Sequence, residues 1–392
     1  MSELANQISQ LKNASESKDK LGSIAELLER NNISLEDIGR ISKVSLYQQA
    51  AKDADGEFMT TDLVAVQLSP KWETGPEWPV IQQAEPTVIK PAKTNPKPKK
   101  TTDLKCAVIL PDPQIGYRRY EDGSLDPFHD EAAINVAMQV TAHLQKTEGV
   151  DLIVNLGDFI DLPEHSKYVQ EAAFAQTTQI AINRGHKFLA EQRATCPDAK
   201  IILLEGNHDN RMNLYATNNA KASYGLRKAN TPDSWPVLSV PYLLRLEELG
   251  VEFRDKYPAN EFWINKNLRA VHGDKVRSNG STASAYANAL PHISTIFGHI
   301  HRLEVQYKTV HDHAGPIRSA NVSPGCLCRV DGAVPSTHSG VGSDGRPATR
   351  WENWQQGMAI VWYSDEGRFH IETLHILDGW TIYKGQEFRA DI

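Results

Sequence analysis

The chain has 392 residues, 40% of them hydrophobic and 23% charged, with a formal net charge of −7. That balance suits a soluble globular protein with one large domain and a smaller one, and it excludes whole-surface affinity for polyanions, though not a local basic patch. No segment reaches the unbroken apolar length of a membrane span, and Met1-Ser2-Glu3-Leu4 lacks the basic start of a signal peptide. The expectation is a cytoplasmic protein without a membrane partner.

Residues 1–50 read as a small helical region. Ile24, Leu27 and Leu28, then Leu35, Ile38 and Ile41, recur at helical spacing around the Asn31-Asn32 turn signal, and Ser34 with Asp37 forms a capping-box pattern. Two helices followed by Lys43-Val44-Ser45 resemble a helix-turn-helix; a helical hairpin for docking fits equally well. Residues 51–102 are less regular. Leu63, Val64, Val66 and Leu68 suggest one strand, and Trp72 and Trp78 flank a loop. Residues 90–100, rich in lysine and proline, form a solvated linker.

The main domain is expected over 103–392. Ala107-Val108-Ile109-Leu110 is a short apolar run bounded by turn residues, as in a buried strand. Residues 130–146 and 170–194 have helical spacing and separate this run from Leu152–Leu156 and then Ile201–Leu204. Strand alternating with helix is the mark of an α/β layer architecture. Past His301 the pattern becomes antiparallel: Val305–Val310, Ala359–Tyr363 and Phe369–Leu374 alternate, with Ser364-Asp365-Glu366-Gly367 as a hairpin turn. Residues 331–350 form a Gly/Ser/Pro-rich loop. The four cysteines suit a reducing compartment, and Cys326-x-Cys328 lacks the second pair that would complete a zinc site.

Five apolar runs end in residues able to bind metal or move protons. They lead into Asp112-Pro113-Gln114, into Gly157-Asp158 with Asp161 beyond, into Gly206-Asn207-His208-Asp209, into His272-Gly273, and into Gly298-His299-Ile300-His301. Ligands bind at the carboxyl ends of strands in open α/β sheets, so a sheet would gather these groups. Mixed oxygen and imidazole donors suit manganese, iron or zinc and not calcium. Arg211 is placed either to meet a substrate phosphate or to pair with a local carboxylate. Asp161 reads as a structural acceptor.

Taken in order, these blocks resemble the calcineurin-like metallophosphoesterase superfamily over roughly residues 105–330. The resemblance implies a four-layer α/β/β/α sandwich and two divalent cations, manganese first, with iron or zinc as alternatives. It implies Asp158 as the bridge between them, Asp112, Gln114 and His301 completing one site, and Asn207, His272 and His299 the other. Two ions about 3.5–4 Å apart would hold a hydroxide for in-line attack on phosphorus. His208 would protonate the leaving oxygen, Asp209 would orient His208, and Asn207 and Arg211 would meet the substrate. The family's first block usually carries histidine where this chain has Gln114. A neutral amide oxygen implies a looser site that favours manganese, or no metal contact at that position. The expected substrate is a phosphodiester of nucleic acid. The alternatives are a phosphomonoester or phosphoprotein, and a binding module that has lost its metals. The oligomeric state is left open.

Overall fold

The structure is a computed structural model that describes residues 29–30, 38–52, 58–70, 103–167, 171–335, 340–341, 347–348 and 352–390. It divides into two compact units, residues 1–83 and 84–392. The helical expectation needs correction over residues 38–50. In the first unit, β1 (Ile38–Lys52) pairs antiparallel with β2 (Phe58–Pro70), so Ile38, Ile41 and Lys43-Val44-Ser45 lie in a strand and not in a helix-turn-helix. Ile38 and Ile41 fit helical spacing, but Val44 and Leu46 opposite Val66 and Val64 alternate with the period of a strand. The first helix expected at Ile24–Leu28, the Trp72–Trp78 loop and the Lys/Pro linker lie outside the described residues.

In the second unit β3 (Lys105–Leu110) pairs parallel with β4 (Leu152–Asn155), β4 with β5 (Lys200–Leu204), and β5 with β6 (Val251–Arg254). Helices α1 (Glu131–Thr147) and α2 (Thr178–Thr195) make the first two crossovers. Asp130 starts α1 by accepting from the Ala132 and Ala133 amides. A second sheet contains β7 (Phe262–Trp263), β8 (Leu268–Val271), β9 (Ser294–Phe297), β10 (Leu303–Asp312) and β11 (Gly315–Pro324), in the order β10-β11-β9-β8-β7. The chain then returns as β12 (Gln356–Tyr363), antiparallel to β3, and β13 (Phe369–Ile376), antiparallel to β12.

Side-chain alternation assigns the layers. On β3, Cys106, Val108 and Leu110 join a core with Ala133, Val140 and Leu144 of α1 and Phe188 of α2. The intervening Ala107 and Ile109 join a second core with Ile202, Ala270, Ile296, Val322 and Val361, which lies between the two sheets. Val271 and Phe297 leave the far face of the second sheet to pack on Ala283 and Tyr286 of helix α4 (Thr282–Ala289), which follows a short helix, α3 (Arg211–Asn219), in chain order. The result is the expected helix/sheet/sheet/helix sandwich. β3, β4 and β5 are buried on both faces, which is why they read as unbroken apolar runs.

Candidate metal centre

β3, β4 and β5 lie side by side in one sheet, β8 and β9 in the other, and each of the five sequence blocks begins just past one of their carboxyl ends. Backbone bonds lock these loops together. The Gln114 amide donates to the Asp158 carbonyl at 3.0 Å, and the Gly298 amide donates to the His272 carbonyl at 2.9 Å. Asp112, Gln114, Asp158, His299 and His301 all take positive φ, between 37° and 71°. L side chains rarely adopt this region, at a cost of about 1–3 kcal/mol each, and such strain persists where surrounding structure over-determines it.

Close approach also restricts two glycines. A Cβ on Gly206 would collide with the Asp158 backbone and carboxylate, and one on Gly298 would collide with the Asp112 carboxylate. Gly298→Ala is therefore expected to displace Asp112 and weaken cation binding at least tenfold, with little change in far-UV circular dichroism. Unchanged binding in a metal titration would show that Asp112 lies elsewhere.

Asp112 and Asp158 are buried to 0% and 1% exposure. Asp112 accepts the His299 amide on both oxygens, at 3.0 and 3.1 Å, and Asp158 accepts the His208 amide at 2.8 Å. Asp158 Oδ1 is 3.3 Å from His272 Nε2, which is itself 3.1 Å from Asn207 Oδ1; His272 Nδ1 donates to the Leu156 carbonyl at 2.9 Å. On the other side of Asp158, Gln114 Nε2 donates to Oδ2 at 3.1 Å and lies 3.4 Å from His301 Nε2.

The donors form two overlapping triads, Asp112–Asp158–His301 and Asp158–His272–His299, each with ligand atoms within 4.8 Å of one another. Asp158 belongs to both. Gln114 lies on the first triad and Asn207 on the second, so the structure brings together all seven residues expected from sequence as ligands.

The electrostatics call for positive charge. Among the described residues no lysine or arginine pairs with either Asp112 or Asp158. Burial, reinforced by Asp158, holds the Asp112 carboxyl well above its ordinary range. Burial also pushes Asp158 up, but His272 and His208 outweigh it and hold Asp158 well below. Burial lowers His272, yet Asp158 overrides this and raises it to about 9; burial leaves His299 at about 4 and His301 at about 3. Gln114 Oε1 and His299 Nδ1 are buried without a hydrogen-bond partner. The neutral imidazoles of His299 and His301, the buried carboxylates and the orphaned polar atoms fit a pair of divalent cations.

The surroundings of His208 correct two expectations. Asp209 does not orient it. The Asp209 carboxylate accepts from the Gly206 amide at 2.8 Å and from the Phe159 and Ile160 amides at 3.1 Å each, and burial raises it to about 6. It clamps one ligand loop to another. Asp161 takes the place assigned to Asp209, with Oδ1 3.1 Å from His208 Nδ1. Arg211, expected to meet substrate, pairs with Asp161 and lies 3.2 Å from His208 Nε2. Its guanidinium is thus engaged by a local carboxylate, the other option open from sequence. Asp161 was missed as the partner because it comes from a different loop, after β4.

A family model for calcineurin-like phosphoesterases matches residues 128–330, just over half of the chain. The chain belongs to the calcineurin-like phosphoesterase family. It is a metal-dependent phosphoric ester hydrolase of a family that generally uses two divalent cations. Asp112 and Gln114 precede the matched residues, and only the fold joins them to the others. No curated protein matches the chain. No helix among the described residues is long and apolar enough to cross a membrane.

Proposed function

We propose that this calcineurin-like phosphoesterase hydrolyses phosphodiester bonds of nucleic acid, with manganese as the preferred ion. The observation that carries the substrate reading is the surface leaving the centre after His208. Helix α3 starts at Arg211, beside His208, and exposes Leu214 and Tyr215; Tyr224 and Leu226 follow, 56% and 52% exposed. Exposed Lys221, Arg227 and Lys228 are interleaved with them. Aromatic faces among basic side chains suit bases and the phosphates that connect them. The surface can be acidic overall and still present this local patch.

Asp112, Gln114, Asp158, Asn207, His272, His299 and His301 would hold the cations, which when bound supply Lewis acidity and an activated water-derived nucleophile. The residues around them do the rest. His208 has Nδ1 beside Asp161 and Nε2 beside Arg211; once a departing oxygen takes the place of Arg211 at Nε2, a proton on that nitrogen would pass to it as the phosphorus–oxygen bond breaks. Arg211 fixes Asp161 so that its charge faces the imidazole. Asn207, half-buried beside His272, is placed to donate its amide to a phosphoryl oxygen. The four cysteines are buried and none is in a disulfide, as suits a cytoplasmic setting.

His208→Ala is expected to lower kcat for an aryl phosphodiester about 10²- to 10⁴-fold with bound manganese retained. Unchanged turnover would remove His208 from the reaction. In the wild type, a tenfold preference for the matching monoester, about 1.4 kcal/mol in the barrier, would make the enzyme a monoesterase instead.

A further inference from the structure

We infer that Cys328 is the positioning residue of His301: its sulfur accepts the Nδ1 proton, presents Nε2 to the Asp112–Asp158 side of the centre, and makes this the weaker of two cation sites. The inference rests on the two-cation reading of that centre.

Two groups face His301 Nε2, and the farther, Asp112 Oδ1 at 3.7 Å, lies beyond hydrogen-bond reach. Gln114 Nε2 faces His301 Nε2 at 3.4 Å, and an amide N–H can only donate, so Nε2 carries the lone pair and Nδ1 the proton. The partner of Nδ1 is Cys328 Sγ, 3.7 Å away, with both side chains buried. The neighbouring Cys326 thiol is turned to backbone, with the Gln355 carbonyl at 3.6 Å and the Cys328 carbonyl at 3.8 Å as acceptors. Gln355 closes the circuit, since its amide donates to the His301 carbonyl at 2.8 Å. The Cys326 hydrogen thus has carbonyl acceptors, and it is the Cys328 sulfur that faces the imidazole. Trp354 packs edge-on against the same ring, with centroids 4.3 Å apart, which limits its rotation.

The two sides of the centre therefore differ. His272 is oriented by a carbonyl oxygen at 2.9 Å, a strong acceptor, whereas His301 relies on sulfur, a weak one. Metal-bound histidines depend on such a partner for tautomer and ring angle, and removing it typically costs 10- to 100-fold in affinity. Gln114 on the same side contributes only a neutral amide. The Cys-x-Cys pair and His301 bring their ligand atoms within 4.8 Å of one another, three donors and, among the described residues, no fourth, and the role inferred for the pair is to orient His301.

The test uses the full chain with Cys328→Ala, Cys328→Ser and, as a control remote from the centre, Cys196→Ala. Manganese titration of metal-free protein should give two steps. The weaker step should fall at least tenfold in Cys328→Ala, recover at least in part in Cys328→Ser, where a hydroxyl replaces the thiol, and stay unchanged in Cys196→Ala. Nitrogen-15 shifts of His301 in the metal-free wild type should show the proton on Nδ1, a measurement that remains decisive even if Cys328→Ala does not fold. A proton on Nε2, or an unaltered weaker step in Cys328→Ala, would overturn the inference. So would a sulfur-to-metal charge-transfer band in the cobalt-loaded wild type that is lost in Cys328→Ala, because sulfur would then be a ligand. Failure of the wild type to cleave diesters, with these results intact, would count only against the proposed substrate.

Discussion

Asp158→Ala should lower manganese-dependent hydrolysis by about four orders of magnitude or more, equivalent to ~5.5 kcal/mol in the barrier. The size follows from position. Asp158 is the one carboxylate common to both donor triads, and it also accepts the His208 amide that seats the proton donor. Removing any other ligand leaves one triad whole; removing this one leaves neither. Asp158→Asn keeps an acceptor for the His208 amide while losing the charge. It should retain wild-type melting and still be inactive, which separates loss of chemistry from loss of structure. Steady-state kinetics on an aryl phosphodiester at saturating manganese would measure both. An Asp158→Asn variant within tenfold of the wild type would show that the shared carboxylate is not needed.

The second large effect is on stability. Asp209→Ala should destabilise the fold by about 3–5 kcal/mol, because the Gly206, Phe159 and Ile160 amides lose their acceptor in a site sealed from water. For a unit of this size that corresponds to a fall in melting temperature of roughly 10 °C. Asp161→Asn provides the contrast. Its partners are His208 and Arg211, so it should impair turnover more than melting. If Asp209→Ala melted like the wild type but lost activity, Asp209 and not Asp161 would be the residue acting through His208.

This reversal shows where sequence runs out. Asp209 follows His208 directly, and adjacency suggested partnership, but the turn points the two side chains apart. Asp161 arrives from the loop after β4, brought in by the same crossing of backbones that makes Gly206 unable to carry a Cβ beside Asp158. Nothing in the spacing of one segment encodes a contact between two. The ligand blocks, in contrast, were legible, because a strand buried on both faces must be an unbroken apolar run and its first polar residues mark its end. That logic found Asp112, Asp158, Asn207, His272 and His299 one strand at a time.

The division of strands between two sheets was not readable in this way. Ala107 and Ile109 look the same as Val108 and Leu110, although they face different layers. In the N-terminal hairpin the second strand reads directly from Leu63–Leu68, but the first reads as helix because Ile38 and Ile41 satisfy helical spacing, and its pairing with residues some twenty positions later outweighs local preference. The partnership of Cys328 with His301 is hidden for the same reason as that of Asp161 with His208: the two residues are 27 positions apart.

The donors at five strand ends should hold two cations that share Asp158. Anomalous scattering at the manganese edge from crystals grown with that ion tests it most directly. Two peaks are predicted, one ringed by Asp112, His301 and Gln114, the other by Asn207, His272 and His299, with Asp158 between them. A single peak, or peaks away from Asp158, would contradict it.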